Sequence, residues 1–365
     1  MKRILGALLA AGMVVSAAAA ATATRSTTHR STAKHRRRAR PAPPVDPTLG
    51  DNVDGDDLVV RRAAVAALGS VNGSVVVVDP TSGRILSIVN QRLAMKSGYI
   101  PCSTIKLVTS VAALTEHVID PETQVAITRR QRFNLTTALA RSNNQYFARL
   151  GNTLGYDRVV RYAQMLGLGE KAALNLPEEQ PGTIAAEPPK DGGVGMMTSF
   201  GEGFAVTPLE LAALVSAIAN NGTLYYLQYP RTQQEIEEFT PRIKRTLDMA
   251  ADGIPDIRLG MRAAVDFGTA RRIGNDPEDP ILGKTGTCTD YRASSHMGWF
   301  GSFNEANQHQ LVVVVMLTGD HRVSGPVAAG VAGAIYHNLE GQSYFAADTN
   351  RSGSDLNGAS FDSAR

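Results

Sequence analysis

The chain has 365 residues, of which 43% are hydrophobic and 19% charged, with a formal net charge of +3. That length easily supplies a large buried core, and no fixed-period repeat divides it into an array. Its histidines show no paired metal-ligand spacing, so no zinc site is called for. Its positive balance lies largely in one short basic tract, which leaves the folded part close to neutral or acidic.

Met1-Lys2-Arg3 precedes an apolar run from Ile4 to Val15, and the small residues from Ser16 to Ala23 offer A-x-A-like cleavage sites. Residues 1–23 therefore read as a secretory signal peptide. The alternative is an uncleaved inner-membrane anchor, since about 20 residues can just span a bilayer. On either reading the remainder is exported, to the periplasm or cell surface. Residues 24–56 are rich in Arg, Lys, His, Ser, Thr and Pro, with His35-Arg36-Arg37-Arg38-Ala39-Arg40 at their centre. Nothing there buries a core, so a disordered linker is expected, drawn to anionic cell-wall polymers or lipid headgroups. A nucleic-acid arm is the competing reading, and the export signal argues against it.

One folded domain is expected over residues 57–340. Asp57 to Leu68 suggests a first helix. Ser74 to Val78 and Ile85 to Val89 are short β-branched runs joined by a turn-rich loop, typical of a hairpin. After Pro101, Ile105, Val108, Val111, Ala112 and Leu114 recur at helical spacing, which predicts a buried helix reaching Ile119 with Ser103 in its first turn. Helical patterns continue through residues 133–185. Val206 to Ala219 is a helix entered through Thr207-Pro208 and ended by Asn220-Asn221-Gly222. Arg258 to Phe267 is helical again. Strands are predicted at Ile281 to Thr287, Met297 to Phe303 and Leu311 to Leu317, then a helix from Pro326 to Leu339. Strands at both ends with helices between them imply an α+β fold: an antiparallel five-stranded sheet flanked by helices, with a mostly α-helical subdomain. The remainder, 341–365, is Ser/Gly/Asp/Asn-rich and expected to be disordered.

Three stretches carry chemistry. Ser103 and Lys106 are spaced three apart on one helix face, near enough for the lysine to take the hydroxyl proton. Ile105 and Leu107 flank that lysine, and partial desolvation lowers its pKa toward general-base duty. Alone, the pattern also fits a helix cap with a snorkelling lysine. Ser142-Asn143-Asn144 and Lys284-Thr285-Gly286-Thr287 follow in order. S-x-x-K, S-x-N and K-T-G in that order form the signature set of penicillin-binding proteins and serine β-lactamases.

Over roughly residues 70–340 the chain resembles the transpeptidase domain of penicillin-binding proteins. The hairpin from Val76 to Ile88, Ala138-Leu139-Ala140-Arg141-Ser142-Asn143-Asn144, Gly201-Glu202-Gly203 with Val206-Thr207-Pro208-Leu209, Gly268-Thr269-Ala270 and Gly298-Trp299-Phe300 all match places that family uses. Glu202 stands where glutamine is usual, and Cys102 and Cys288 are atypical. No glycosyltransferase or pedestal domain is read in the sequence.

The resemblance implies acyl transfer through a serine ester, with the active site between sheet and helical subdomain and no cofactor. Ser103 would attack the carbonyl of a D-alanyl-D-alanine stem peptide of peptidoglycan, or of a β-lactam antibiotic that imitates it, and Lys106 would be the base. Ser142 would relay a proton to the leaving amine, and Asn144 would hold the acyl-side amide. Lys284 would add positive charge, and Thr285 and Thr287 would meet the terminal carboxylate. Gly286 would let substrate lie against the strand edge. The N–H groups of Ser103 and Thr287 would stabilise the oxyanion. Cys102 and Cys288 each adjoin one of those residues, and class A carbapenemases resemble this arrangement. In an exported chain their even count suits a disulfide, with two small buried thiols as the alternative. Glu170, with Leu174-Asn175, approximates the E-x-x-L-N of class A β-lactamases, but one residue too long, and is read as non-catalytic. A serine β-lactamase and a non-enzymatic β-lactam sensor stay open as alternatives.

Overall fold

The computed structural model describes residues 46–247, 251–274, 279–291, 293–305 and 309–346. The expected signal peptide and most of the basic linker lie outside the described residues. Asp57 starts helix α1 (Leu58–Leu68), its carboxylate accepting from the N–H groups of Val59 and Val60, two donors that a helix start leaves open. The hairpin follows as β1 (Gly73–Val78) and β2 (Ile85–Val89). Its loop is held by Asp79, which accepts from Thr81 N and from the hydroxyls of Thr81 and Ser82.

The helical body comes next. A short 3-10 turn, Cys102–Ile105, runs into α2 (Lys106–Thr115). Then come α3 (Leu135–Ala140), α4 (Asn144–Leu154), α5 (Gly193–Phe200), α6 (Pro208–Ala219) and α7 (Ile254–Asp266). α6 begins on a capping box between Thr207 and Glu210, a reciprocal bond that fixes where the helix can start. The chain returns as β3 (Ile281–Asp290), β4 (Ser295–Asn304) and β5 (Val312–Gly319), and closes with α8 (Gly325–Glu340).

The five strands form one antiparallel sheet in the order β2-β1-β5-β4-β3. Side chains alternate across it. Val76, Val78, Trp299, Phe303 and Val314 pack against the helical body, while Val75, Val77, Phe300, Val313 and Val315 pack under α1 and α8. Both faces are covered, so β1 and β5 read as unbroken valine runs, although an antiparallel sheet often leaves one face wet and alternating. No helix among the described residues is long and apolar enough to cross a membrane.

Two boundaries differ from the sequence reading. Residues 46–56 were assigned to the linker, yet they are built into the domain. Asp51 accepts from the N–H groups of Asn90 and Gln91 and pairs with Arg61 at 2.9 Å. Asp56 pairs with Arg61 at 2.7 Å and accepts from the Tyr229 hydroxyl at 2.6 Å. Arg61 is buried, and a buried cation requires counter-charges that a composition argument cannot assign. At the other end Tyr344 bonds Asp57 at 3.0 Å, which carries the folded part past residue 340.

The helix boundaries differ as well. The predicted helix after Pro101 is tighter at its start and ends at Thr115 rather than Ile119. The helical pattern across Ser142 is broken into α3 and α4, with Ser142 itself left-handed at φ 52°.

Candidate active site

Four pieces of chain meet at the seam between sheet and helical body: the Cys102–Ile105 turn, the α3–α4 junction, the end of α5 and strand β3. Lys106 is fully buried at the start of α2. Its Nζ lies 2.6 Å from Ser103 Oγ, 2.8 Å from Asn144 Oδ1 and 2.5 Å from the Ser199 carbonyl oxygen. Burial, and after it the charge of Lys284, holds Lys106 well below the ordinary lysine value. A neutral amine has two N–H donors and one lone pair. Asn144 Oδ1 and the Ser199 carbonyl can only accept, so in its neutral form the lysine would give them its two N–H groups and turn its lone pair to the Ser103 hydroxyl.

Lys284, also fully buried, donates to Ser142 Oγ at 2.8 Å and to the Thr285 carbonyl at 3.0 Å. Burial pushes it down to about 7. Ser142 reaches this lysine because Asn143 caps α4, accepting from Tyr146 N at 2.8 Å, and because Ser142 turns left-handed just ahead of the cap. A β-carbon resists that conformation, at a cost of about 1–3 kcal/mol. Cys102, directly before Ser103, is left-handed in the same way at φ 52°.

On β3, the Thr285 and Thr269 hydroxyls are 2.6 Å apart, and Thr287 Oγ1 accepts from Gly325 N at 2.7 Å. Thr287 is exposed and keeps its hydroxyl proton for a ligand. β3 is the last strand of the sheet, so its outer edge presents unpaired backbone groups. Cys102 and Cys288 are joined by a disulfide with Cα atoms 5.5 Å apart, which ties the nucleophile turn to β3.

Gly286 has a part inside the protein itself. A β-carbon there would come 2.9 Å from the Pro101 carbonyl oxygen and 3.3 Å from Cys102 Cβ. The missing side chain thus lets the Ser103 turn lie against the strand. Gly201 does the same from the other side, since its β-carbon would come 2.7 Å from Pro101 Cγ. Trp299 is a core residue, and its Nε1 also donates to the Ile100 carbonyl at 2.9 Å, pinning the approach to Ser103.

The structure brings together Ser103 with Lys106 and Asn144, and Ser142 with Lys284. Sequence reading missed the Ser199 carbonyl, because a backbone acceptor leaves no trace in residue type. Glu170 lies outside the cluster. Burial raises its pKa, but bonds to Arg245 at 2.5 and 3.0 Å and to Lys244 at 3.1 Å outweigh this and lower it.

Two cavities flank the site. One of about 260 Å³ is lined by Tyr99, Ile184, Glu202, Thr289, Asp290 and Tyr291. The other, of about 700 Å³, is lined by Arg141, Phe267, Thr269, Arg271, Arg272 and Ser324, among others.

Residues 73–337 match the family described as penicillin binding protein transpeptidase domain. Stage V sporulation protein D of Bacillus subtilis is 29% identical over 280 residues, 68% of this chain and 43% of that protein. The probable peptidoglycan D,D-transpeptidase PbpC of Pseudomonas aeruginosa is 25% identical over 301 residues, 71% of this chain and 51% of that protein. The chain thus spans about half the length of these curated relatives. Among solved structures, PBPA from Mycobacterium tuberculosis superposes with a TM-score of 0.65 at 21% identity, covering 78% of this chain and 81% of that one. That likeness establishes the fold.

Proposed function

The chain belongs to the penicillin-binding-protein transpeptidase family, and on that premise we propose that it is an acyl-serine enzyme, a D,D-transpeptidase or carboxypeptidase acting on D-alanyl-D-alanine stem peptides in peptidoglycan synthesis. The observation that carries this reading is the buried Lys106 amine 2.6 Å from Ser103 Oγ, with its other two partners able only to accept. Lys106 is the base. As Ser103 Oγ bonds to the peptide carbonyl carbon, its proton passes to Lys106 Nζ. The N–H groups of Ser103 and Thr287 meet the oxyanion, each donor contributing about 3–4 kcal/mol of barrier lowering. The disulfide between the residues beside them supports that convergence.

When the tetrahedral intermediate collapses, the C–N bond breaks and the leaving amine takes a proton through Ser142, whose hydroxyl is held by Lys284. Asn144 presents its oxygen to Lys106, which leaves its Nδ2 for the acyl-side amide carbonyl. Thr285 and Thr287 receive the terminal carboxylate. The donor backbone lies along the open edge of β3, adding to it as a strand. A β-lactam enters by the same route and stays as a penicilloyl ester.

A serine β-lactamase would share acylation but needs a base for fast hydrolysis. Among the described residues no carboxylate bonds Ser103, Lys106, Ser142 or Lys284, and Glu170 is held by Arg245 and Lys244, which favours slow deacylation. Export to the periplasm or cell surface, and contact of the basic linker with anionic wall polymers or headgroups, belong to the same reading.

The test is a time course with a fluorescent penicillin followed by a denaturing gel, run on the parent and on Ser103→Ala. The parent should hold the label for hours and the variant should take none. Label that vanishes within seconds points to a β-lactamase. A parent that never labels, or a variant that labels stoichiometrically, overturns the assignment.

A further inference from the structure

Among the described residues most buried or half-buried arginines have carboxylate partners: Arg61, Arg231, Arg245 and Arg258 are all paired. The cavity of about 700 Å³ is different. Arg141, Arg271 and Arg272 line it, all three are exposed, and none is paired with a carboxylate among the described residues. Three like charges around one opening repel one another, and the field they share concentrates anions there. Arg141 is steadied over the Phe133 ring at 5.9 Å, and Phe267, 55% exposed, gives the wall an apolar face.

The cavity adjoins one particular side of the site. Arg141 directly precedes Ser142. Thr269, on its wall, is hydrogen-bonded to Thr285. Ser324, also on its wall, precedes Gly325, whose N–H bonds Thr287. These are the residues assigned above to the leaving amine and its carboxylate. The cavity at the far end of β3 instead carries Glu202 and Asp290, so the site is basic beyond the leaving group and acidic beyond the acyl chain.

We propose that the arginine-lined cavity is the subsite of the acyl acceptor and selects acceptors that carry a second carboxylate beyond the amine-bearing carbon. This rests on the acyl-serine reading above. Microscopic reversibility requires the incoming amine to enter where the leaving amine departed. There its nitrogen bonds to the acyl carbon, the ester bond to Ser103 Oγ breaks, and the proton lost by the amine returns to Ser103 Oγ through the Ser142 and Lys106 side chains. The acceptor's own body then extends into the cavity, where guanidinium groups can take a carboxylate in bidentate fashion.

The test forms the acyl-enzyme from a peptide ending in D-alanyl-D-lactate, whose departing hydroxy acid is not a competing amine. Capture is then timed with D-glutamate or D-glutamine, which share an α-carboxylate and nearly the same shape and differ in one side-chain charge. In the parent, D-glutamate should be captured about tenfold faster, the ratio expected of one charge-assisted contact, and the advantage should shrink with salt. In the double variant Arg271→Gln/Arg272→Gln the ratio should fall toward one. A parental ratio near one, or a ratio unchanged in the variant, overturns the proposal while leaving the acyl-serine reading intact. So does penicillin acylation that falls in step with the ratio, because the arginines would then be reading the donor. If no acyl-enzyme forms in any arm, the acyl-serine reading fails and the proposal fails with it.

Discussion

Replacing Lys284 with methionine should abolish acyl transfer and yet stabilise the protein, by an amount that depends on pH in a definite direction. Burial moves Lys284 from 10.5 to about 7. At about 1.36 kcal/mol per unit, its ammonium opposes folding by roughly 5 kcal/mol when fully protonated. The sign follows from which state holds the proton. Below about pH 7 both the folded and unfolded chains are protonated and the whole penalty applies. Between about 7 and 10.5 only the unfolded chain binds the proton, so the penalty shrinks as pH rises and is gone above that range. Methionine fills a similar volume with no charge, but it takes a donor from Ser142 Oγ and the Thr285 carbonyl, at about 1–3 kcal/mol for each that finds no water; half-buried Ser142 is within reach of water, which leaves one such cost. At about pH 6 the variant should therefore be more stable by roughly 2 kcal/mol or more, and the gap should narrow toward about pH 9.5. Urea titrations of both proteins at the two pH values, read with a common slope, measure it. A variant less stable at the lower pH, or a gap indifferent to pH, would refute the reasoning.

Lys106→Ala should slow penicillin acylation by about 10²–10⁴-fold through loss of the base, while Asn144→Ala chiefly weakens turnover of peptide substrates. Stopped-flow or quenched labelling checks both, and parental rates in the two variants would remove the roles assigned to them. Cys102 and Cys288 should take no alkyl groups in denatured, non-reduced protein and two after reduction, read by intact mass. Adducts before reduction, in protein taken from an oxidising compartment, would contradict the disulfide.

The sheet was legible because its signal is strong and local. Val75 to Val78 and Val312 to Leu317 are β-branched or apolar throughout, and both faces of the sheet are buried, so even a coarse reading placed strands there. The helix entered through Thr207-Pro208 announced itself by the proline at its first position, and the structure adds a full capping box between Thr207 and Glu210. The three motifs pointed to Ser103, Ser142 and Lys284 because the acyl transfer proposed for them would constrain residue type at short spacing. What the sequence hid was carried by the backbone or by distant partners. The Ser199 carbonyl on Lys106 and the Gly325 N–H on Thr287 have no residue-type signature. The helix break at Ser142 was masked by the apolar periodicity of Ala138, Leu139 and Ala140, which tertiary packing overrode. Asp51 and Asp56 sat in a stretch whose composition reads as linker, and only their pairing with Arg61 draws them into the body.

Gly286 shows how the pieces depend on one another. Its missing β-carbon admits the Pro101–Cys102 backbone against β3. That approach brings Cys102 and Cys288 to a Cα separation of 5.5 Å, and their bond closes 186 residues of chain. In the chain-entropy model such a closure contributes roughly 5 kcal/mol to stability, of the same order as the penalty of burying Lys284 as a cation. Several features that oppose folding lie at this seam, among them two buried lysines and two left-handed residues with β-carbons, Cys102 and Ser142. Each carries, adjoins or bonds to one of the two serine hydroxyls, Ser103 or Ser142. Strain of this kind persists only where surrounding structure over-determines it, and here a covalent bond, a doubly covered sheet and the Trp299–Ile100 contact supply the constraint. The stability of the fold thus offsets, at this seam, the cost of holding a buried amine of lowered pKa against Ser103, the one arrangement on which the proposed chemistry depends.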